Sequence, residues 1–333
     1  MKSIYLCEES KTVNQVFPDY VKKSLITEAN IDSEIYSKQD LLDNPKKFSD
    51  VEYIFSTWGM TELNEEEIKT LLPSLKCVFY AAGSVQYFAR PFLNCGVKIF
   101  SAWAANAVPV AEYTVAQIIL ANKGFYSNSK MSSKEDYENM RNVLDNYGGN
   151  YNSKIGIIGA GMIGKLVINM LKNYKFDILV FDPFLPDSKA EELGVKKVSL
   201  EELFSECNVV SNHLANNEQT KNMITYKHFA SMPPYSTFLN TGRGAQLIEE
   251  DLVKVLKERP DIFAVLDVTD PEPSENGHAF YSLPNCTLTP HIAGSMGREV
   301  HRMAEYMLNE FHLYKNNNPT EYEVTQKMLE TMA

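Results

Sequence analysis

The sequence predicts an α/β protein with two doubly wound parallel sheets, and three observations carry that expectation. Short apolar runs alternate with polar, helix-compatible segments through the first hundred residues; the rhythm restarts at Lys154 after a polar break; and the restarted region opens on a glycine-rich turn. Strand, helix, strand is the repeating unit of a parallel sheet, because a parallel crossover needs a connection long enough to hold a helix.

Taken in order, Ser3–Leu6, Glu52–Ser56, Cys77–Ala81 and Val97–Phe100 have the apolar, bounded character of buried strands. A long helix is expected from about Pro109 to Lys123, with Pro109 suited to the first turn and Gly124 to the end. The polar connector 127–152 holds a short helix and closes on Gly148-Gly149-Asn150. Strands are then expected at Ile155–Ile158, Ile178–Phe181, Val209–His213, Thr237–Asn240, Ile262–Val268 and Thr287–Thr289. The tail from Gly297 to Lys315 is helical by spacing, with Val300, Met303, Met307 and Phe311 on one side, and is expected to return to the first domain.

Length and composition bound the function. A chain of 333 residues suits two domains with substantial cores. Lys plus Arg number 32 against 43 Asp plus Glu, a net charge of -11, and without a dense basic run this argues against a nucleic-acid surface. Five scattered cysteines, never in a Cys-x-x-Cys pair, indicate neither a disulfide framework nor a zinc site. No signal-peptide core follows Met1, and the longest apolar stretch, Val108 to Leu120, is broken by Pro109, Glu112, Thr114 and Gln117. A cytoplasmic protein without membrane contact is the expectation.

Ile155 to Val167 contains Gly159-Ala-Gly161-Met-Ile-Gly164, a Gly-x-Gly-x-x-Gly turn between strand and helix. Alone it is a weak signal, about as often a plain turn as a ligand site. Its glycines suit unusual backbone angles, close approach of a pyrophosphate and tight strand–helix packing, while Met162 and Ile163 offer free N–H groups at the helix start. Asp182 closes the next strand, where a carboxylate can accept the ribose hydroxyls and repel a 2′-phosphate. Pro183, Phe184 and Leu185 supply no arginine to reverse that preference. NAD is therefore expected over NADP.

Three ionisable residues stand out downstream: Arg243 in Asn240-Thr-Gly-Arg-Gly244, Glu272 in Asp270-Pro-Glu-Pro273 and His291 in Thr289-Pro-His-Ile-Ala-Gly294. Singly each has an ordinary reading, as a turn, a solvated loop carboxylate and a structural histidine. Together they follow expected strands of one sheet, and ligands of such sheets sit outside the carboxyl ends of the strands. A fixed cation, a carboxylate and an imidazole can grip a carboxylate and move a proton at the neighbouring oxygen, which points to redox chemistry on a 2-hydroxy acid.

With these motifs in this order, nearly the whole chain resembles the D-isomer-specific 2-hydroxyacid dehydrogenase family. Ala107-Val-Pro-Val-Ala-Glu112 is similar to the family's helix start between domains, and Gly159 to Gly164 to its cofactor turn. Asn240 to Gly244, Asp267-Val268 with Glu272-Pro273, and Thr289-Pro290-His291 are similar to its downstream signatures. The resemblance implies two Rossmann-like domains: an NAD-binding domain, residues 106–297, inserted into a discontinuous substrate-binding domain, residues 1–105 and 298–333. It also implies an active site in the cleft and a homodimer joined through the helix after the crossover.

Carried over by motif, Arg243 would hold the substrate carboxylate, helped by main-chain N–H groups near Gly83 and Ser84. His291 would exchange a proton with the substrate oxygen, and Glu272, bonded to its other nitrogen, would favour the protonated ring. Asp267 would contact the cofactor near its nicotinamide, with Thr241, Gly242 and Gly294 lining that pocket. The hydride mechanism needs no metal, and His278 with His291 lacks further ligands at usable spacing. His213, His228, His278, His301 and His312 receive no catalytic role.

Two segments depart from the family's pattern. Where it usually has His-x-Pro-x-Thr, this chain reads His213-Leu-Ala215-Asn-Asn217; the substrate loop reads Ala81-Ala-Gly83-Ser-Val-Gln-Tyr87-Phe, without the common second Gly and Asp. The first allows an altered cofactor wall. The second, with Ser56-Thr-Trp58-Gly, leaves the substrate open. Trp58, Tyr87, Phe88 and Trp103 could form an apolar pocket, although core packing is the commoner role of such residues. Rival readings are a glyoxylate or hydroxypyruvate reductase, a phosphoglycerate-type dehydrogenase and, from another class, an NAD-sensing corepressor-like binding protein. Against the phosphoglycerate reading, the first domain shows no basic phosphate-binding cluster.

Overall fold

Apolar runs bounded by polar segments become thirteen strands in two sheets among residues 2–129 and 131–330, the part of the chain that the computed structural model describes. The chain forms two compact units, Met1–Asn106 with Ser295–Ala333, and Ala107–Gly294.

The first unit holds β1 (Ser3–Leu6), β2 (Ile31–Tyr36), β3 (Tyr53–Ser56), β4 (Cys77–Tyr80), β5 (Lys98–Ser101) and β13 (Glu323–Val324), in the order β13-β5-β4-β3-β1-β2. All pair in parallel except β13, which is antiparallel to β5. Every residue of β1, β3 and β4 is buried, as in strands covered on both faces. Phe55, Phe79 and Phe100 stack across β3, β4 and β5 at 5.0 Å, and Phe311 meets the edges of the first two at 5.7 Å. The tail helix Val300–Lys315 thus packs on this sheet through Val300, Met303, Met307 and Phe311, as its spacing predicts.

The second unit holds β6 (Tyr151–Ile158), β7 (Lys175–Phe181), β8 (Lys196–Lys197), β9 (Val209–Asn212), β10 (Thr237–Asn240), β11 (Phe263–Leu266) and β12 (Cys286–Leu288). Their order is β12-β11-β10-β9-β6-β7-β8, all parallel. The order reverses between β6 and β9. That switch point opens a crevice beyond the strand ends, where ligands of doubly wound sheets bind.

Two expectations need correction. The long helix runs Trp103–Asn122, so Pro109 lies inside it; Ala104, Ala105 and Ala107 are strong helix formers that carry the helix back past the proline. With this extension it is the one helix, among the described residues, long and apolar enough to cross a membrane, contrary to the sequence estimate. Half of that window is buried inside the protein, where Ala111, Ile118 and Ala121 join the core of the second unit and Thr114 is fully buried. The edge strand β2 was also unforeseen, because Ile31-Asp-Ser-Glu-Ile-Tyr36 exposes its polar middle.

Candidate active site

The glycine turn sits at the switch point, and each glycine has its own constraint. Gly159, with φ of 89°, lies where a Cβ would meet His213 O at 2.8 Å, at the adjoining ends of β6 and β9. A Cβ on Gly164 would sit 2.0 Å from Gly159 O, so strand and helix close on each other there. Gly161 faces open space. It caps the helix Met162–Leu171, whose first backbone bond, Lys165 N–H to Gly161 O, is 3.1 Å long. The amides of Met162 and Ile163 precede that bond and are left to the solvent side. A phosphate fits this cradle: open main chain, helix N-terminus and free donors coincide.

Asp182 stands just beyond β7, half-buried and fixed by two amides: Ala160 N–H donates to Oδ2 at 2.7 Å and Phe184 N–H to Oδ1 at 2.8 Å. Each oxygen keeps a lone pair for a hydroxyl. Phe184, 79% exposed, and Pro183 follow without a cation.

Arg243, Glu272 and His291 follow β10, β11 and β12, which are neighbours in the sheet. His291 Nδ1 and Glu272 Oε1 are 2.6 Å apart, both side chains partly exposed. With the carboxylate ionised, Nδ1 is the donor, and Nε2 is the ring nitrogen that Glu272 does not engage. The peptides Asp270–Pro271 and Glu272–Pro273 are both cis. His291 itself has φ of 53° and donates its N–H to Asp267 O at 3.0 Å.

Buried polar groups hold these loops. Asp267, 2% exposed, accepts from Thr289 Oγ1 at 2.6 Å and from the amides of Ile292 and Ala293 at 2.8 Å each. These bonds anchor the His291 loop. Around Arg243, Asn212, Asn240 and Gln246 are fully buried and bonded together: Asn212 Nδ2 donates to Asn240 Oδ1 and Gln246 Oε1, at 3.0 and 2.6 Å. Gln246 Oε1 also takes Arg243 N–H at 3.0 Å, and Asn240 Nδ2 donates to Arg243 O at 3.1 Å. The guanidinium donates one short bond, Nη1 to Gly242 O at 2.7 Å. Thr241 is buried with Oγ1 3.3 Å from Thr114 Oγ1, Gly242 is buried in the network, and Gly294 is half-buried at the end of the loop.

The segment that departs from the family's pattern is well tied. Asn217 Oδ1 accepts from Gln219 and Thr220 amides at 2.9 and 3.2 Å, and Thr220 Oγ1 returns a bond to Ala215 O at 2.7 Å. Asn217 closes this turn without the proline. His213 is buried; Ser211 Oγ bonds its Nε2 at 2.9 Å, and burial pushes the imidazole down to about 3, which keeps it neutral.

In the first unit, Ser101 Oγ donates to Gly83 O at 2.6 Å and fixes the start of the loop 83–88. Among the described residues, no acceptor is found for the amides of Gly83 and Ser84. Phe88 is core, and Trp103 packs on Tyr322 with ring centroids 5.6 Å apart. Only Trp58 and Tyr87 of the four aromatics are exposed, at 38% and 46%.

Sequence reasoning missed Asn212, Gln246 and Glu249. The first two carry no motif beyond lying one at a strand end and one just after Arg243; Glu249, 8% exposed, looks like an ordinary acid in a first helical turn. All five cysteines are free, and no metal-binding cluster exists among the described residues.

YoaD of Bacillus subtilis, provisionally named a 2-hydroxyacid dehydrogenase, is 32% identical over 204 residues, 60% of this chain and 58% of its own. A glyoxylate reductase of Korarchaeum cryptofilum is 33% identical over 165 residues, 50% of each chain. The match thus spans about half the length of these relatives. Apo D-mandelate dehydrogenase of Rhodotorula graminis shares the fold over 98% of both chains, with a TM-score of 0.80 and 19% identity. The family model described as "D-isomer specific 2-hydroxyacid dehydrogenase, NAD binding domain" covers residues 115–293, from the long helix through the glycine turn to the His291 loop, and on that match the chain belongs to this family.

Proposed function

We propose that the protein is an NAD-dependent oxidoreductase interconverting a D-2-hydroxy acid and its 2-oxo acid. The observation that carries the reading is the 2.6 Å Glu272–His291 pair in the loops after β11 and β12, with Arg243 following β10 in the same sheet as the glycine turn. Bound NADH supplies the hydride. Arg243 grips the substrate carboxylate with its planar fork. His291 Nε2 gives its proton to the 2-oxo oxygen during reduction and takes it back during oxidation, while Glu272, bonded to Nδ1, fixes the ring. Asp182 holds the ribose and disfavours a 2′-phosphate. The amides of Gly83 and Ser84, without an acceptor among the described residues, suit an anionic substrate group and support substrate binding by the first unit.

The protein works as a cytoplasmic homodimer in this reading, which rests on the family resemblance, the negative charge and the free cysteines. The test is NADH oxidation by the full chain with a panel of 2-oxo acids of increasing side-chain size, glyoxylate and hydroxypyruvate included. Turnover of at least one is expected. Tight NADH binding with no turnover across the panel would favour a cofactor-sensing protein instead.

A further inference from the structure

We propose that Glu249 is a positioning residue that ties the Asp270–Pro273 run, and with it Glu272, to the segment carrying Arg243; the proposal rests on the reaction given above. Pro271 and Pro273 have no N–H, so only Asp270 and Glu272 can anchor this run by a backbone donor. Glu249 takes one of the two: its Oε1 accepts Asp270 N–H at 2.9 Å. It does so from the first position of the helix Glu249–Glu258, which follows Arg243 after one short turn.

The same peptide is where the two segments touch. A Cβ on Gly244 would lie 2.1 Å from Thr269 C and 2.4 Å from Asp270 N, so the Arg243–Gly244 main chain lies directly on the Thr269–Asp270 peptide. Glu249 adds a hydrogen bond at this contact. Glu250 and Asp251 share the first turn of this helix, and Asp251 Oδ2 accepts from Tyr226 N–H at 2.8 Å.

Burial of this carboxylate is costly without a partner. Oε2 lies 3.8 Å from His278 Nε2, and Phe280 N–H donates to His278 Nδ1 at 3.4 Å, so Nε2 is the nitrogen that carries a proton toward Glu249. Opposing this, the charges of Asp270 and Glu250 stand nearby. Burial, with those two carboxylates adding to it and the Asp270 amide opposing it, pushes Glu249 up to about 7. The ionised form is the stronger acceptor, so the tie is firm above that pH and loosens below it. The sign for stability is opposite: an acid raised on folding binds more protons folded than unfolded between its ordinary value and about 7, so its ionisation destabilises as pH rises through that window.

The experiment compares the full chain with Glu249→Gln and Glu249→Ala. In Glu249→Ala, kcat is expected to fall about tenfold, in line with misplacement of catalytic groups, with NADH affinity unchanged. In Glu249→Gln, the ascending limb of kcat near pH 7 should vanish, while the midpoint of thermal unfolding at pH 8 rises above wild type. A merely structural bond would lower stability and leave the pH profile in place. Hydrogen exchange at the Asp270 amide, compared at one pH, should be faster in Glu249→Ala. Unchanged exchange, or a folded Glu249→Ala with wild-type kcat and pH profile, overturns the proposal. Faster exchange in a chain that reduces no 2-oxo acid would retain the tie and discard the reaction instead.

Discussion

The two sheets end their strands differently. Beyond β10, β11 and β12 stand Arg243, Glu272 and His291, with the buried Asn212, Asn240 and Gln246 around the first and the buried Asp267 holding the loop of the last. Beyond β3 and β4 the loops are closed by neutral side chains: Ser56 Oγ donates to Leu6 O, and Thr57 Oγ1 to Ala81 O at 2.8 Å. One edge concentrates fixed charge, while the other offers main-chain amides and the exposed rings of Trp58 and Tyr87. On the function proposed above, this contrast would be a division of labour, with the reaction set by the second unit and the side chain accepted by the first.

The sharpest way to break that division is His291→Ala, expected to lower kcat by about 10²- to 10⁴-fold for every 2-oxo acid while NADH affinity, read by fluorescence titration, stays the same. Survival of turnover would remove His291 from the reaction. Arg243→Lys should cost about 10²-fold in kcat/KM, because an ammonium cannot reproduce the planar fork; full rescue by lysine would reduce Arg243 to a point charge. Asp182→Ala should erode the preference for NADH over NADPH by about 10- to 10²-fold, since a charge-assisted hydrogen bond is worth about 1.5–3 kcal/mol. Steady-state kinetics with both cofactors gives the ratio, and an unchanged ratio refutes the role given to the carboxylate.

On the other edge, Tyr87→Ala should change the ranking of small against large 2-oxo acids by up to about tenfold without touching NADH binding. A uniform loss across the panel would place Tyr87 in the shared machinery and blur the division. The smallest effect is on acid stability. His213 is held down to about 3, so the unfolded chain binds a proton that the folded chain refuses between about 3 and the ordinary value of 6.5. Its stability contribution is full above that ordinary value and is lost as pH falls through the window, so His213→Asn should flatten the fall in urea midpoint there.

Much of this was legible in the sequence, and the exceptions share a cause. Ile155 to Val167 and the three downstream motifs were readable because glycines, prolines and charged residues punctuate them at fixed places. Interior strands such as β10, Thr237–Asn240, were readable because burial on both faces makes them apolar throughout. By contrast, β2 sits at a sheet edge and spends its middle on solvent, and the two-residue β13 exists only by pairing with β5. Pro109 misled because helix-start and helix-interior prolines look alike until the preceding alanines are seen to be helical. Asn212, Gln246 and Glu249 belong to the site through contacts with distant segments, and nothing local marks such residues.

The backbone of His291, at φ of 53°, has a practical consequence for capturing a ternary complex. That conformation suits asparagine better than most side chains and penalises β-branched ones, so valine or threonine at this position would remould the loop as well as remove the imidazole. On the proposed reaction, His291→Asn is therefore the variant of choice for crystals grown with cofactor and substrate together: it removes the imidazole and keeps a residue suited to the backbone of the Asp267-anchored loop.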